Sequence, residues 1–203
     1  ALYDSAPVFR QVLDDCAARL APLLPRGLLE VIFAGPGEAS PINETLYAQP
    51  ATFAIEVALA ALWRSWGIEP VAVMGHSLGE YAAACVAGML SLDDALRLVT
   101  ERGRLTHALP ADGGMAAIFA PEAVVTAELA RAGGGLTIAA YNGPEHFVVS
   151  GLRTEVDALL AHLERAGVRA KALRVPHAAH SRWIEPVLPE FGRALEGVRF
   201  CAP

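Results

Sequence analysis

A serine stands between two glycines in Gly75-His76-Ser77-Leu78-Gly79, where four apolar residues, Val71-Ala72-Val73-Met74, give way to a helical pattern that continues through Glu80-Tyr81-Ala82-Ala83. The chemistry this order suits is nucleophilic. A strand, a sharp turn and a helix hold the serine hydroxyl on the turn, in a strained backbone conformation that needs small neighbours. Gly75 and Gly79 let the strand and helix approach closely. The helix opening at Leu78 aims unsatisfied backbone N–H groups and its positive dipole end at whatever Ser77 attacks. A serine nucleophile needs a base. His76 adjoins Ser77, so its side chain points away, and His107, His146 and His162 fall on helix or strand surfaces. His177 and His180 lie in Val175-Pro176-His177-Ala178-Ala179-His180-Ser181, which reads as a loop between a strand and a helix, and this loop is the best place to find the base. Arg102 falls within an apolar helical stripe of Ala95, Leu98, Val99, Leu105 and Leu109. An inward guanidinium needs a negative partner. That partner is either an internal Asp or Glu, or a substrate carboxylate held by two parallel hydrogen bonds.

The elements that must position these residues follow from periodicity and punctuation. Ser5 and Pro7 open a first helix carrying Val8, Val12, Leu13, Cys16 and Leu20, and Leu28 to Phe33 suits a short strand or a helix. Residues 35–41 read as a loop. Gln49-Pro50 opens a long helix that closes at Gly67. Ser91 and Asp94 form a capping-box variant ahead of the Arg102 helix. From Gly113 the order is strand (115–120), helix (121–132), strand (136–141), strand (146–150), helix (154–166), strand (169–175), a split βαβ, ferredoxin-like unit.

At 203 residues the chain is one domain, or a domain with an insertion, and is long enough to bury a sizeable core. The net charge of −6 and the lack of a basic cluster argue against nucleic acid as a partner. Cys16, Cys85 and Cys201 are far apart, without metal-type spacing, so a reducing compartment and no metal are expected. The longest apolar stretches are broken by charge short of the ~18 residues a membrane span needs. No signal peptide is visible, and the expectation is a cytoplasmic chain with no membrane partner.

Taken together, these pieces resemble the acyltransferase domain of modular polyketide synthases and the related malonyl-CoA:acyl carrier protein transacylase. The matching stretches are Gln49-Pro50-Ala51-Thr52-Phe53-Ala54, Gly75 to Glu80, Arg102-Gly103-Arg104-Leu105, Asn142-Gly143-Pro144, Val148 to Gly151, and His177-Ala178-Ala179-His180 with Glu185-Pro186. The resemblance implies an α/β fold. Residues 1–112 and 176–203 would form an α/β-hydrolase-like large subdomain with a parallel-sheet core, and 113–175 an inserted ferredoxin-like small subdomain. The family pattern begins with a strand and a Gly-Gln-Gly loop and ends with a further strand, so both ends of the family domain look truncated here.

The resemblance also implies roles. Ser77 is the nucleophile that takes the acyl group from coenzyme A, and His180 is the general base. Arg102 grips the free carboxylate of a malonyl group. The Leu78 N–H supplies part of the oxyanion hole. His177 and Ala179 belong to the pocket wall, and Gln49 and Asn142 support the site. The coenzyme A thioester is substrate, the domain binds no cofactor, and the acceptor is the phosphopantetheine thiol of an acyl carrier protein. Ketosynthase and other synthase domains are the expected neighbours. Malonyl-selecting members read His-Ala-Phe-His at the histidine motif, and methylmalonyl-selecting members Tyr-Ala-Ser-His. His177 and Leu78 favour malonyl, while Ala179 opens room for a substituent. The alternatives are a serine hydrolase or thioesterase of the α/β-hydrolase type, and a catalytically silent docking module. The hydrolase would need an acidic residue between Ser77 and His180 at the end of a core strand.

Overall fold

Long apolar stripes at helical spacing make the first half of the chain a helical assembly, and period-two patterns make the second half a sheet. The computed structural model describes residues 2–35 and 37–203, so Pro36, in the stretch read as a loop, lies outside the described residues. Its contacts divide the chain into two units, Ala1–His107 with Glu190–Pro203, and Ala108–Pro189.

In the first unit, α1 (Leu2–Ser5) leads into α2 (Pro7–Leu20), which buries Phe9, Leu13, Cys16 and Leu20 at helical spacing. The residue capping α2 is Ala6, not Ser5. The ambiguous apolar run is a helix, α3 (Leu28–Ile32). The long helix α4 (Thr45–Ser65) begins before the expected Gln49-Pro50 opening, so Pro50 lies inside it and cannot donate to the carbonyl one turn back. Gly67 ends it at φ 77°. By length and composition α4 could cross a membrane, which the reading of broken apolar stretches missed, but half of its most apolar window is buried. Phe53, Ala54 and Ala58 are its fully buried residues, packed in the core with α2 and α6. After α5 (Gly79–Val86), Ser91 Oγ accepts the Asp94 N–H (3.1 Å) and donates to the Asp94 carboxylate (2.8 Å) at the start of α6 (Leu92–His107).

The expected parallel-sheet core is not found: among the described residues this unit has no strand. Val71–Met74, read as the strand before the turn, has no regular structure, and Val71 and Met74 are almost fully exposed. A strand exists through hydrogen bonds to a neighbouring strand, and no such neighbour lies beside this segment among the described residues.

The second unit holds β1 (Gly113–Phe119), α7 (Glu122–Arg131), β2 (Thr137–Gly143), β3 (His146–Leu152), α8 (Arg153–Arg165) and β4 (Arg169–Ala172). The sheet order is β2-β3-β1-β4 with every neighbouring pair antiparallel. Two helical crossovers that each skip one strand produce this order, as the strand-helix-strand-strand-helix-strand pattern requires. Ala116, Ile118, Phe147 and Val149 point to one face of the sheet and pack with Val125, Val156, Leu159 and Leu163. A 3₁₀ turn (Arg182–Val187) and α9 (Leu188–Ala194) follow. The chain is an α/β protein with a small antiparallel sheet.

Candidate active site

Three consecutive turns wind the chain from Gly75 into α5. Gly79 N–H donates to His76 O (3.0 Å), Glu80 N–H to Ser77 O (3.2 Å) and Tyr81 N–H to Leu78 O (3.0 Å). Ser77 sits at the apex in the left-handed region, φ 54°, which a non-glycine residue occupies at a cost. Gly75 is indispensable to this closure, because a Cβ there would lie 2.1 Å from the Glu80 nitrogen. The matching expectation for Gly79 does not hold. A Cβ at Gly79 would meet only the Glu56 carboxylate, at an ordinary 3.7 Å. The Leu78 side chain packs against the helical core, and its N–H donates no backbone hydrogen bond among the described residues.

Arg102 reaches the turn because α6 runs close to α4. A Cβ on Gly103 would lie 2.9 Å from the Thr45 carbonyl, so only glycine permits this approach without a shift. The guanidinium Nη1 donates to Gln49 Oε1 (2.5 Å) and Nη2 to Ser77 Oγ (3.3 Å). No carboxylate pairs with Arg102 among the described residues, so the internal ion pair weighed from the sequence is absent there. Burial lowers the Arg102 pKa, with the nearby Tyr81 hydroxyl opposing that shift. Burial in turn raises the Tyr81 pKa, and the Arg102 charge works against it. Gln49, 8% exposed, is thus the neutral acceptor that holds a half-buried cation in place.

Sequence reasoning missed Glu56. It lines a cleft of about 560 Å³ with Trp63, Val73, Gly75 and Gly79. Its Oε2 is shut off from solvent and has no hydrogen-bond partner among the described residues. Burial raises its pKa. The available signal was its place seven residues after Gln49, which puts both on one face of α4.

The second unit carries the remaining predicted residues. His177 is buried, and its Nδ1 lies 3.2 Å from the Pro110 carbonyl. A carbonyl only accepts, so Nδ1 carries a proton in this contact. Ala179 is half-buried, and His180 is exposed at φ 58°. Asn142 is exposed near the end of β2. Ser77, Leu78, Gln49 and Arg102 therefore share one unit, and His177, Ala179, His180 and Asn142 the other. Among the described residues no cluster of His, Cys, Asp and Glu suits a metal ion.

The sequence profile of the acyl transferase domain family matches residues 1–200. The chain belongs to that family. This acyltransferase domain is 49% identical over 203 residues to polyketide synthase GfsB of Streptomyces halstedii, a match covering 100% of the chain and 4% of GfsB. Among solved structures it is similar to the acyltransferase domain from the second module of the salinomycin polyketide synthase. That match has 44% identity and a TM-score of 0.89, and covers 100% of this chain and 47% of the other. The malonyl-CoA:acyl carrier protein transacylase FabD of Xanthomonas oryzae pv. oryzae is 34% identical, with a TM-score of 0.88, over 100% of this chain and 65% of that one. The chain thus spans a small fraction of the synthase and between about half and two-thirds of the solved chains.

Proposed function

We propose that this chain transfers a malonyl-type acyl group from coenzyme A to the phosphopantetheine thiol of an acyl carrier protein, as part of polyketide biosynthesis. The observation that carries this reading is Arg102. A half-buried guanidinium without a carboxylate partner among the described residues stands 3.3 Å from the hydroxyl of a strained serine. Such a cation is poised for the free carboxylate of a dicarboxylic acyl group. A hydrolase of simple esters has no use for it.

The proposed mechanism is ping-pong. His180 takes the Ser77 proton as Ser77 Oγ attacks the thioester carbonyl, and the oxyanion is held in part by the Leu78 N–H. The tetrahedral intermediate collapses, the C–S bond breaks, and coenzyme A leaves as its thiol with the proton from His180. The carrier thiol then attacks the acyl-serine by the same steps and Ser77 regains its proton. Arg102 holds the acyl carboxylate throughout, with Gln49 holding Arg102. His177 and Ala179 line the α-carbon side of the pocket, and Asn142 has a supporting place. Malonyl-CoA is the favoured donor. Because Ala179 is small and one methylene discriminates by only ~1–3 kcal/mol, substituted malonyl groups are accepted as well. The proposed division of the chain is a large subdomain (1–112 and 176–203) and a small one (113–175), with the carrier protein and a ketosynthase as neighbours in the synthase.

Intact-mass spectrometry tests this on the natural polypeptide carrying the sequence. It is mixed briefly with equimolar malonyl-, methylmalonyl-, ethylmalonyl- and acetyl-CoA. The expected result is a malonyl adduct that is absent in Ser77→Ala, with acetyl not loaded. Steady release of coenzyme A without an adduct would favour the hydrolase, and neither adduct nor release would favour a silent docking module.

A further inference from the structure

The loop with His177 and His180 is tied down at both ends. At its far end Ser181 Oγ donates to the Ala178 carbonyl (2.6 Å) and accepts the Trp183 N–H (3.3 Å). At its near end the ties run to the start of β1. Gly113 N–H donates to Pro176 O (3.1 Å), and Leu173 N–H to Met115 O (2.8 Å). The loop backbone lies directly on Gly113, where a Cβ would stand 2.1 Å from the Ala178 nitrogen.

One side chain spans this junction. Arg153 Nη2 donates to Gly113 O (2.6 Å) and also to Val175 O (2.9 Å), while the Arg153 backbone N–H donates to Asp112 O (2.8 Å). A single nitrogen thus bridges the first residue of β1 and the stretch just before His177. Arg153 is also the first residue of α8, where the helix dipole disfavours a cation. No carboxylate pairs with it among the described residues. Helix stability does not account for an arginine at this position, and the two carbonyls do.

We propose that Arg153 is a positioning residue: its guanidinium clamps the 173–178 segment onto β1 and thereby sets where His177 and His180 stand. The clamp acts through backbone carbonyls and touches no substrate. Its functional consequence rests on the acyltransferase reading above, in which His180 is the base and His177 lines the pocket.

The test compares Arg153→Ala and Arg153→Lys with wild type in the natural polypeptide. Single-turnover acyl-serine formation is followed with malonyl- and methylmalonyl-CoA, and active sites are counted from the amplitude. The expected result for Arg153→Ala is an unchanged amplitude, a rate constant about tenfold lower, and a shifted malonyl-to-methylmalonyl ratio. Arg153→Lys, which keeps a charged donor, is expected to restore most of the rate. A smaller amplitude with unchanged rate per site and unchanged ratio would mean a structural role only and would overturn the proposal, as would wild-type behaviour of Arg153→Ala. Hydrogen exchange reads the clamp independently of activity. The Gly113 amide is expected to exchange at least about tenfold faster in Arg153→Ala, while the amides of β3 keep their protection. Unchanged Gly113 exchange overturns the clamp. Absence of acyl-serine in wild type overturns the acyltransferase reading and leaves the exchange result to decide the clamp.

Discussion

Arg102 divides its guanidinium between two residues far apart in the chain: Nη1 donates to Gln49 Oε1 at 2.5 Å and Nη2 to Ser77 Oγ at 3.3 Å. The amide fixes the cation beside the serine hydroxyl. Arg102→Ala is expected to lower kcat/KM for malonyl-CoA about 100-fold, near 3 kcal/mol of transition-state binding. Loading of acetyl-CoA relative to malonyl-CoA should rise in the same variant, measured by competition between the two donors. Equal losses for both donors would contradict the carboxylate role.

Gln49→Leu keeps the volume and removes the acceptor. A half-buried charged donor left unsatisfied costs about 1–3 kcal/mol, so denaturant unfolding should show a lower midpoint at unchanged slope. Malonyl loading should fall with it, because the guanidinium is no longer held.

The two glycines of the serine turn should part company on substitution. Gly75→Ala places a Cβ 2.1 Å from backbone, with no flexible group to yield, and the variant should fail to load acyl groups and unfold at lower temperature. Gly79→Ala meets only the tip of Glu56 at 3.7 Å, and alanine is the better helix former, so it should retain the wild-type melting temperature.

Glu56 makes stability fall with pH. Its folded-state pKa is raised by burial, so the folded chain holds the proton more tightly than the unfolded chain. The stabilisation is complete below the ordinary glutamate range and is lost as pH rises through the raised value. Glu56→Gln mimics the protonated form. Its melting temperature should exceed that of wild type at pH 8 and converge with it at pH 4.

Cys16 is fully buried, and desolvation pushes its thiol up to about 12. At pH 8 it should resist alkylation in the native protein and react only on unfolding, as peptide mapping after a timed iodoacetamide pulse would show.

Much of the second unit was legible in the sequence, since alternating strands and glycine-closed helices are local signals. The strand and helix boundaries from Gly113 to Arg165 fall close to those expected. The serine turn was legible for the same reason, down to the need for a glycine at position 75. What the sequence did not disclose depends on partners distant along the chain. Gln49 and Arg102 are 53 residues apart and meet only because Gly103 lets two helices touch. The clamp at Arg153 joins three segments, and no periodicity marks a side chain that bonds to backbone carbonyls. Val71–Met74 shows the converse. Its composition favours a strand, yet a strand is a relationship between neighbours, and among the described residues it has none.

Ser77 and His180 are the non-glycine residues that hold a positive φ among those described. Each left-handed backbone costs about 1–2 kcal/mol that glycine would not incur. In the proposed roles these are the nucleophile and the base, so heat resistance and turnover pull in opposite directions at the same two positions. A library of variants selected for thermal survival alone should accumulate Ser77→Gly and His180→Gly and yield sturdier, inert proteins. Any effort to harden this domain would have to hold those positions constant and look elsewhere for its gains.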